Sequence, residues 1–145
     1  MADSPAAATR PGPRAETLLD DEFWQHCTQE RLCFQVCDDC ETWRHLPRMM
    51  CAQCGSAKWA WQQSAGRGHL YSWTVTHQAM LPQFASEVPY VVAVVELDEG
   101  VRMVSQLRGV ETDELEIGIP LELYFERFED DFALPMFRPR TSNPQ

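Results

Sequence analysis

The sequence predicts a mainly β protein in which an N-terminal helix and a metal-stapled ribbon precede a small antiparallel β-barrel of the OB type. Three observations carry this. Cys37, Cys40, Cys51 and Cys54 read C-x2-C, ten residues, C-x2-C, a spacing that can set four thiolates around one ion. Leu19, Phe23 and Cys27 recur every four residues, the period of one helix face. Beyond residue 62, short apolar runs are separated by turn signals, the pattern of an all-β unit.

Residues 1–15 hold three prolines and five alanines without apolar periodicity, which reads as a flexible leader. Arg10 and Arg14 stand in it with no apolar core beside them, so it does not read as a secretory signal. A reducing, cytoplasmic setting is expected, where paired cysteines serve metals more often than disulfides. The helix is expected over 16–31, with Thr17 as cap and Asp20 in the first turn.

The ribbon is expected over 32–62. Leu32–Val36 enters the first knuckle, Thr42–Leu46 leaves it, and Pro47 breaks the run before the second. Gly55 supplies the tight turn behind the second pair. Zn2+ is the expected metal, one structural ion on four cysteines. Iron would use the same sulfurs, and the lack of a redox-partner motif favours zinc. Cys27 and Cys33 are read as core thiols outside the site.

The barrel is expected over 63–130. His69–His77, Tyr90–Leu97 and Val101–Leu107 read as strands, the last two joined by Asp98-Glu99-Gly100. Leu121, Leu123 and Phe125 alternate with Glu122, Tyr124 and Glu126 in a half-exposed strand. Counting Trp59–Gln62 as the start of the sheet gives five strands, which suits a closed barrel. Residues 131–145 are read as an extended tail.

The net charge is −10, and Glu96 to Asp131 holds twelve acids against Arg102, Arg108 and Arg127. Such a surface repels phosphate backbones, which argues against a nucleic-acid partner. The longest apolar run, Tyr90–Val95, is too short to span a bilayer. No nucleophile elbow, phosphate loop or dinucleotide fingerprint occurs, and a metal closed by four thiolates has no open position for a substrate. Asp98 and Glu99 read as a solvated turn. The chain is therefore expected to catalyse nothing by itself.

Two segments are expected to meet a partner: Met80, Leu81 and Phe84 in a long connection, and Phe132, Leu134, Met136 and Phe137 in the proline-rich tail. Trp59 and Trp61 share one strand face and are expected to join ribbon to barrel. Arg67, Arg102 and Arg108 are the cations that the barrel offers to a phosphate group.

The sequence resembles the acyl-CoA-associated zinc-ribbon/OB-fold proteins, long catalogued as a domain of unknown function. The likeness rests on Phe23-Trp24, Cys37-Asp38-Asp39-Cys40, Pro47-Arg48, the stretch Cys51 to Ser56, Trp61, Ser64 to Gly68, Tyr71 to Thr74, Pro89-Tyr90-Val91 and Leu97 to Arg102. It covers about residues 20–125. Glu41 departs from a common glycine after the first pair, and Leu46 from the first proline of a Pro-Pro-Arg stretch. The resemblance implies a rubredoxin-like ribbon ahead of the barrel, and a partner protein of thiolase-fold enzymes or, for some members, of MaoC-like enoyl-CoA hydratases. In bacterial steroid side-chain degradation a similar domain accompanies a thiolase-like aldolase that cleaves β-hydroxyacyl-CoA by retro-aldol chemistry. The barrel's use as an acyl-CoA carrier surface is the alternative that the family implies.

Overall fold

Thr17 starts the helix because its hydroxyl can satisfy an amide that the first turn leaves unpaired. In the computed structural model, which describes residues 10–128 and 131–141, α1 spans Leu18–Thr28. Thr17 Oγ1 accepts from the Asp20 amide at 3.1 Å, and the Asp20 carboxylate accepts from the Thr17 amide at 3.0 Å. This reciprocal cap satisfies two donors at once. The helix is shorter than the expected 16–31 at both ends. It buries Phe23 and Cys27 as its period requires, and burial pushes the Cys27 thiol up to about 12.

Three strands follow: β1 (Cys33–Cys37), β2 (Trp43–Arg44) and β3 (Trp59–Gln63), antiparallel in the order β2-β1-β3. β3 pairs with β1 from Cys33↔Gln63 to Cys37↔Trp59. Trp59–Gln62 therefore belongs to the ribbon and not to the barrel sheet. The two cysteine turns bring the chain back beside β1, and that return decides its partner. The tryptophans follow: the Trp59 and Trp61 rings meet edge-on at 5.2 Å, and Trp61 Nε1 donates to Glu22 Oε2 at 2.7 Å. They tie the ribbon to α1, where the sequence suggested the barrel.

The barrel consists of β4 (Arg67–Thr76), β5 (Tyr90–Leu97), β6 (Arg102–Leu107), β7 (Pro120–Phe128) and β8 (Phe132–Pro139), closed in the order β4-β5-β6-β8-β7. β5 shows why it forms: Val91, Ala93, Val95 and Leu97 point inward and are buried, one residue in two. β4 and β5 approach so closely at Gly68 that a Cβ there would lie 2.3 Å from the Glu96 carbonyl oxygen. Closure comes from β6 and β8, which meet in parallel at Leu107↔Phe137, so the barrel is not antiparallel throughout.

The expected tail is thus the fifth barrel strand. Met136 and Phe137, read as partner contacts, are 2% and 0% exposed: Phe137 belongs to the barrel core, and Met136, on the opposite face of the strand, packs with Phe23 and Trp24 of α1. Prolines are tolerated there because β8 meets β6 at a single ladder position, so few N–H donors are needed. Pro135 supplies its carbonyl instead, accepting from Ser105 Oγ at 2.7 Å. Residues 142–145 of that expectation, like residues 1–9 of the leader, lie outside the described residues. The leader's end is docked: the Arg10 guanidinium sits 5.0 Å from the Phe84 ring and 4.6 Å from the Phe128 ring, and donates to Glu87 at 3.3 Å.

One apolar core joins the parts. Phe23 and Cys27 of α1, Leu32 and Phe34 of the ribbon and Leu70, Val95, Leu121 and Phe137 of the barrel fall in a single buried cluster. The Glu99 carboxylate reinforces the joint, taking Ser64 Oγ at 2.5 Å and the Ala65 amide at 3.1 Å. It clamps the link between ribbon and barrel and is not a solvated turn residue.

Because β8 completes the barrel, Phe137→Ala should cost about 3–5 kcal/mol. A chain ending before Phe132 should show no cooperative melt by far-UV circular dichroism. A truncated chain that keeps the wild-type melting temperature would contradict the assignment of β8 to the core.

Candidate metal centre

The ribbon's sheet sends two turns to one end. Cys37 closes β1, Cys40 lies in the turn beyond it, and Cys51 and Cys54 lie in a second turn before β3. The two turns share one hydrogen-bond scheme. The Cys37 carbonyl accepts from the Glu41 amide at 2.9 Å, and the Cys37 amide donates to Thr42 O at 3.0 Å. The Cys51 carbonyl accepts from the Gly55 amide at 2.9 Å, and the Cys51 amide donates to Ser56 O at 2.8 Å. Glu41 and Gly55 therefore occupy equivalent positions, and both have left-handed φ, +60° and +76°. Glu41 adopts the conformation that glycine adopts in the second turn, and the first knuckle keeps its shape.

The four sulfurs lie within 4.8 Å of one another. Cys37 Sγ is 3.6 Å from Cys54 Sγ, and Cys40 Sγ is 3.5 Å from Cys51 Sγ. A tetrahedral Zn2+ with Zn–S bonds of 2.3 Å sets its sulfurs about 3.8 Å apart. The donor set and its spacing fit that ion. Cys37 and Cys51 are buried while Cys40 and Cys54 are exposed, so the site sits at the ribbon's tip with one side toward solvent.

The surroundings favour thiolates unequally. A hydrogen bond from the Thr42 hydroxyl, seconded by its amide, lowers the Cys40 thiol, and the Cys54 and Gln53 amides lower Cys51. The Ser56 amide pulls Cys54 down as well, but its sulfur neighbours, Cys37 first, outweigh this and lift it to about 12. Four thiolates this close repel one another, and a divalent cation removes that repulsion. Ser56 Oγ donates to Asp39 Oδ2 across the two turns. Cys33 and Cys27 are buried away from the cluster.

A different buried group holds the loop between the knuckles. Gln35, 0% exposed, accepts through Oε1 from the Arg48 amide at 2.7 Å and from Arg44 Nε at 2.9 Å. Arg44 Nη2 donates to the Arg48 carbonyl at 2.8 Å. Sequence reading passed over Gln35; a polar residue inside the run Leu32–Val36 was its one trace. Beside this loop lies a cavity of about 510 Å³, floored by Phe23, Trp24 and Met136 and edged by Leu46, Val104 and Leu134. His45 stands on its wall between the Phe23 and Phe34 rings, and burial lowers its pKa to about 4.

The other residues singled out in the sequence are spread over the molecule. Arg102 opens β6 and Arg108 directly follows its last residue, about 20 Å away at strand rise. Arg102 pairs with Glu96 and stacks on Tyr71, while Arg108 pairs with Glu87 and Glu126. Arg67 begins β4. The three cations do not converge on one phosphate. Met80 and Leu81 are exposed, at 84% and 45%. Phe84 packs on Tyr90 and Arg10, and Phe132 stacks on Phe128.

Cys51→Ser should abolish stoichiometric zinc in metal analysis and melt the ribbon, because ion binding supplies its folding free energy. Full zinc content in that variant would refute the four-thiolate site. Glu41→Gly should raise stability by about 1 kcal/mol through relief of the left-handed backbone, read from a denaturant midpoint with zinc bound.

Residues 24–60 match the family model described as the ChsH2 rubredoxin-like zinc ribbon domain, and residues 61–126 that described as the ChsH2 C-terminal OB-fold domain. A probable enoyl-CoA hydratase alpha subunit of Thermomonospora curvata is 43% identical over 128 residues, 88% of this chain and 40% of that protein. The chain thus spans well under half of that relative. A DUF35 domain-containing scaffold protein of Methanocaldococcus jannaschii is 31% identical over 121 residues, 79% of this chain and 84% of that one. Among solved structures, a chain of the Ltp2-ChsH2(DUF35) aldolase superposes with a TM-score of 0.80 at 40% identity, over 88% of this chain and 98% of that chain. The chain therefore belongs to the DUF35 family, as a rubredoxin-like zinc ribbon on Cys37, Cys40, Cys51 and Cys54 followed by a ChsH2-type OB-fold barrel.

Proposed function

We propose that this chain is a non-catalytic subunit that binds and activates a thiolase-fold enzyme cleaving acyl-CoA, by retro-aldol or thiolytic chemistry, with a steroid side chain as the substrate class. The observation that carries the reading is the superposition of 88% of this chain on 98% of a chain of the Ltp2-ChsH2(DUF35) aldolase. The Methanocaldococcus jannaschii relative, which this chain matches over 84% of that protein's length, is named a scaffold protein, which agrees.

The chemistry of the chain supports the same reading. Among the described residues, the four cysteines are the one group of three or more His, Cys, Asp or Glu side chains gathered closely enough to share an ion. With four thiolates on zinc, no coordination position is left for a substrate. Glu99 is occupied in holding Ser64 and Ala65. The zinc's task is then mechanical: it fixes the ribbon so that a surface of constant shape meets the partner. A free acyl-CoA carrier would need cations gathered for the phosphates, and Arg67, Arg102 and Arg108 are not gathered. A MaoC-like hydratase enters as a second partner class through the hydratase naming of the Thermomonospora curvata relative.

The chain purified alone should not turn over a β-hydroxyacyl-CoA, whereas a thiolase-fold enzyme from the same genome, co-expressed with it, should gain at least tenfold in kcat/KM for carbon–carbon cleavage. Co-expression with Cys51→Ser should give no gain. Turnover by the isolated chain, or equal rates with and without it, would overturn the proposal.

A further inference from the structure

The loop between the two knuckles displays Leu46, Met49 and Met50 at 62%, 70% and 57% exposure. Large apolar side chains so exposed on a mobile loop would be unremarkable. This loop is held. Gln35, wholly buried, takes the Arg48 amide, and Arg44 takes the Arg48 carbonyl. Cys51, the next residue after Met50, is a metal ligand. Both ends of the Arg48–Met50 stretch are therefore pinned, and its methionines are presented on a fixed backbone.

The apolar surface continues onto the barrel. Leu46 and Pro47 share the 510 Å³ cavity with Arg102 and Val104 of β6, and Val104 is itself 64% exposed. An exposed apolar edge around a cavity floored by Phe23, Trp24 and Met136 is the form of a pocket for a partner's anchoring side chain. Met49 and Met50 stand outside the cavity lining, two and three residues beyond Pro47 on the same held loop, and a methionine adapts its shape to the surface it meets.

Charge says what kind of partner this is. The chain carries −10 overall, yet Arg44, Arg48 and Arg102 line one groove with Leu46 on this face, and of the described residues Asp20 is the one acid in the lining of the cavity beside it. Among the described residues, Arg44 and Arg48 are in no salt bridge, and Arg102 pairs with Glu96 alone. A cationic spot on an acidic protein suits an apolar patch rimmed by carboxylates.

We infer that the Leu46–Met50 loop and the outer face of β6 together form the docking surface for the thiolase-fold subunit, through an apolar, carboxylate-rimmed patch on that subunit. The inference rests on the accessory-subunit reading above. The Met80–Leu81 loop, equally apolar but on the β4–β5 connection, is then outside the interface.

The test uses the full zinc-loaded chain and the co-expressed thiolase-fold enzyme, with affinity read by calorimetry and assembly by light scattering. Met49→Asp with Met50→Asp should weaken the complex more than a hundredfold at unchanged zinc content and melting temperature. Arg48→Glu should weaken it about tenfold and flatten its salt dependence. Met80→Asp with Leu81→Asp should leave it intact. A wild-type complex that survives the Met49 and Met50 changes overturns the surface and leaves the accessory-subunit reading standing. No complex with the wild-type chain overturns both. If the wild-type chain pairs with itself and the Met49 and Met50 changes make it monomeric, the face belongs to a second copy and its assignment to the enzyme falls.

Discussion

Four sulfurs gathered within 4.8 Å cannot all carry charge without a cation among them, and most of the ribbon's form descends from that condition. Its sheet has one five-residue pair of strands and a two-residue third, too little buried surface to hold alone. The metal holds the two turns. The turns fix where β3 returns beside β1, and β3 carries the tryptophans to the helix. Phe34 on β1 lies in the same apolar cluster as Leu70 and Phe137 of the barrel. Order imposed at the ribbon's tip therefore reaches the barrel wall through packed side chains.

The joints between the parts are polar as well as apolar. Trp61 reaches Glu22, Glu99 reaches Ser64 and Ala65, and Arg127 donates to the Thr28 carbonyl at the end of α1 at 2.8 Å. Each joins residues far apart in sequence, and the second uses a carboxylate that sequence alone assigns to a solvated turn. The acidic stretch of the barrel is also less free than its charge suggests. Glu96, Glu122 and Glu126 face Arg102, Arg138 and Arg108. Ion pairs this exposed contribute little stability each, but they leave the acidic face with fewer unpaired carboxylates to meet a partner.

What could be read from sequence follows the range of the interaction concerned. The metal ligands were legible because each pair is local and its spacing is dictated by a single turn. β5 was legible from Tyr90 to Leu97 because alternation is written residue by residue. The cap at Thr17 needed only its neighbour Asp20. β8 was missed because Pro135 and Pro139 argue against a strand, and only the tertiary fact of a single β6–β8 ladder position removes the objection. The membership of β3 was missed for a related reason: strand identity is local, whereas strand partnership is not. The three arginines were grouped by charge, and the length of β6 separates two of them.

The barrel's closing strand comes last in chain order yet lies between β6 and β7. On a ribosome, all four cysteines emerge well before β8 does, so the ribbon can load zinc while the barrel is still open. Until β8 arrives, β6 and β7 each present an unpaired strand edge. The newborn chain thus passes through a stage with a finished metal site beside an unfinished sheet. That interval, set by translation speed over the last barrel strands, is its period of greatest exposure to edge-to-edge aggregation.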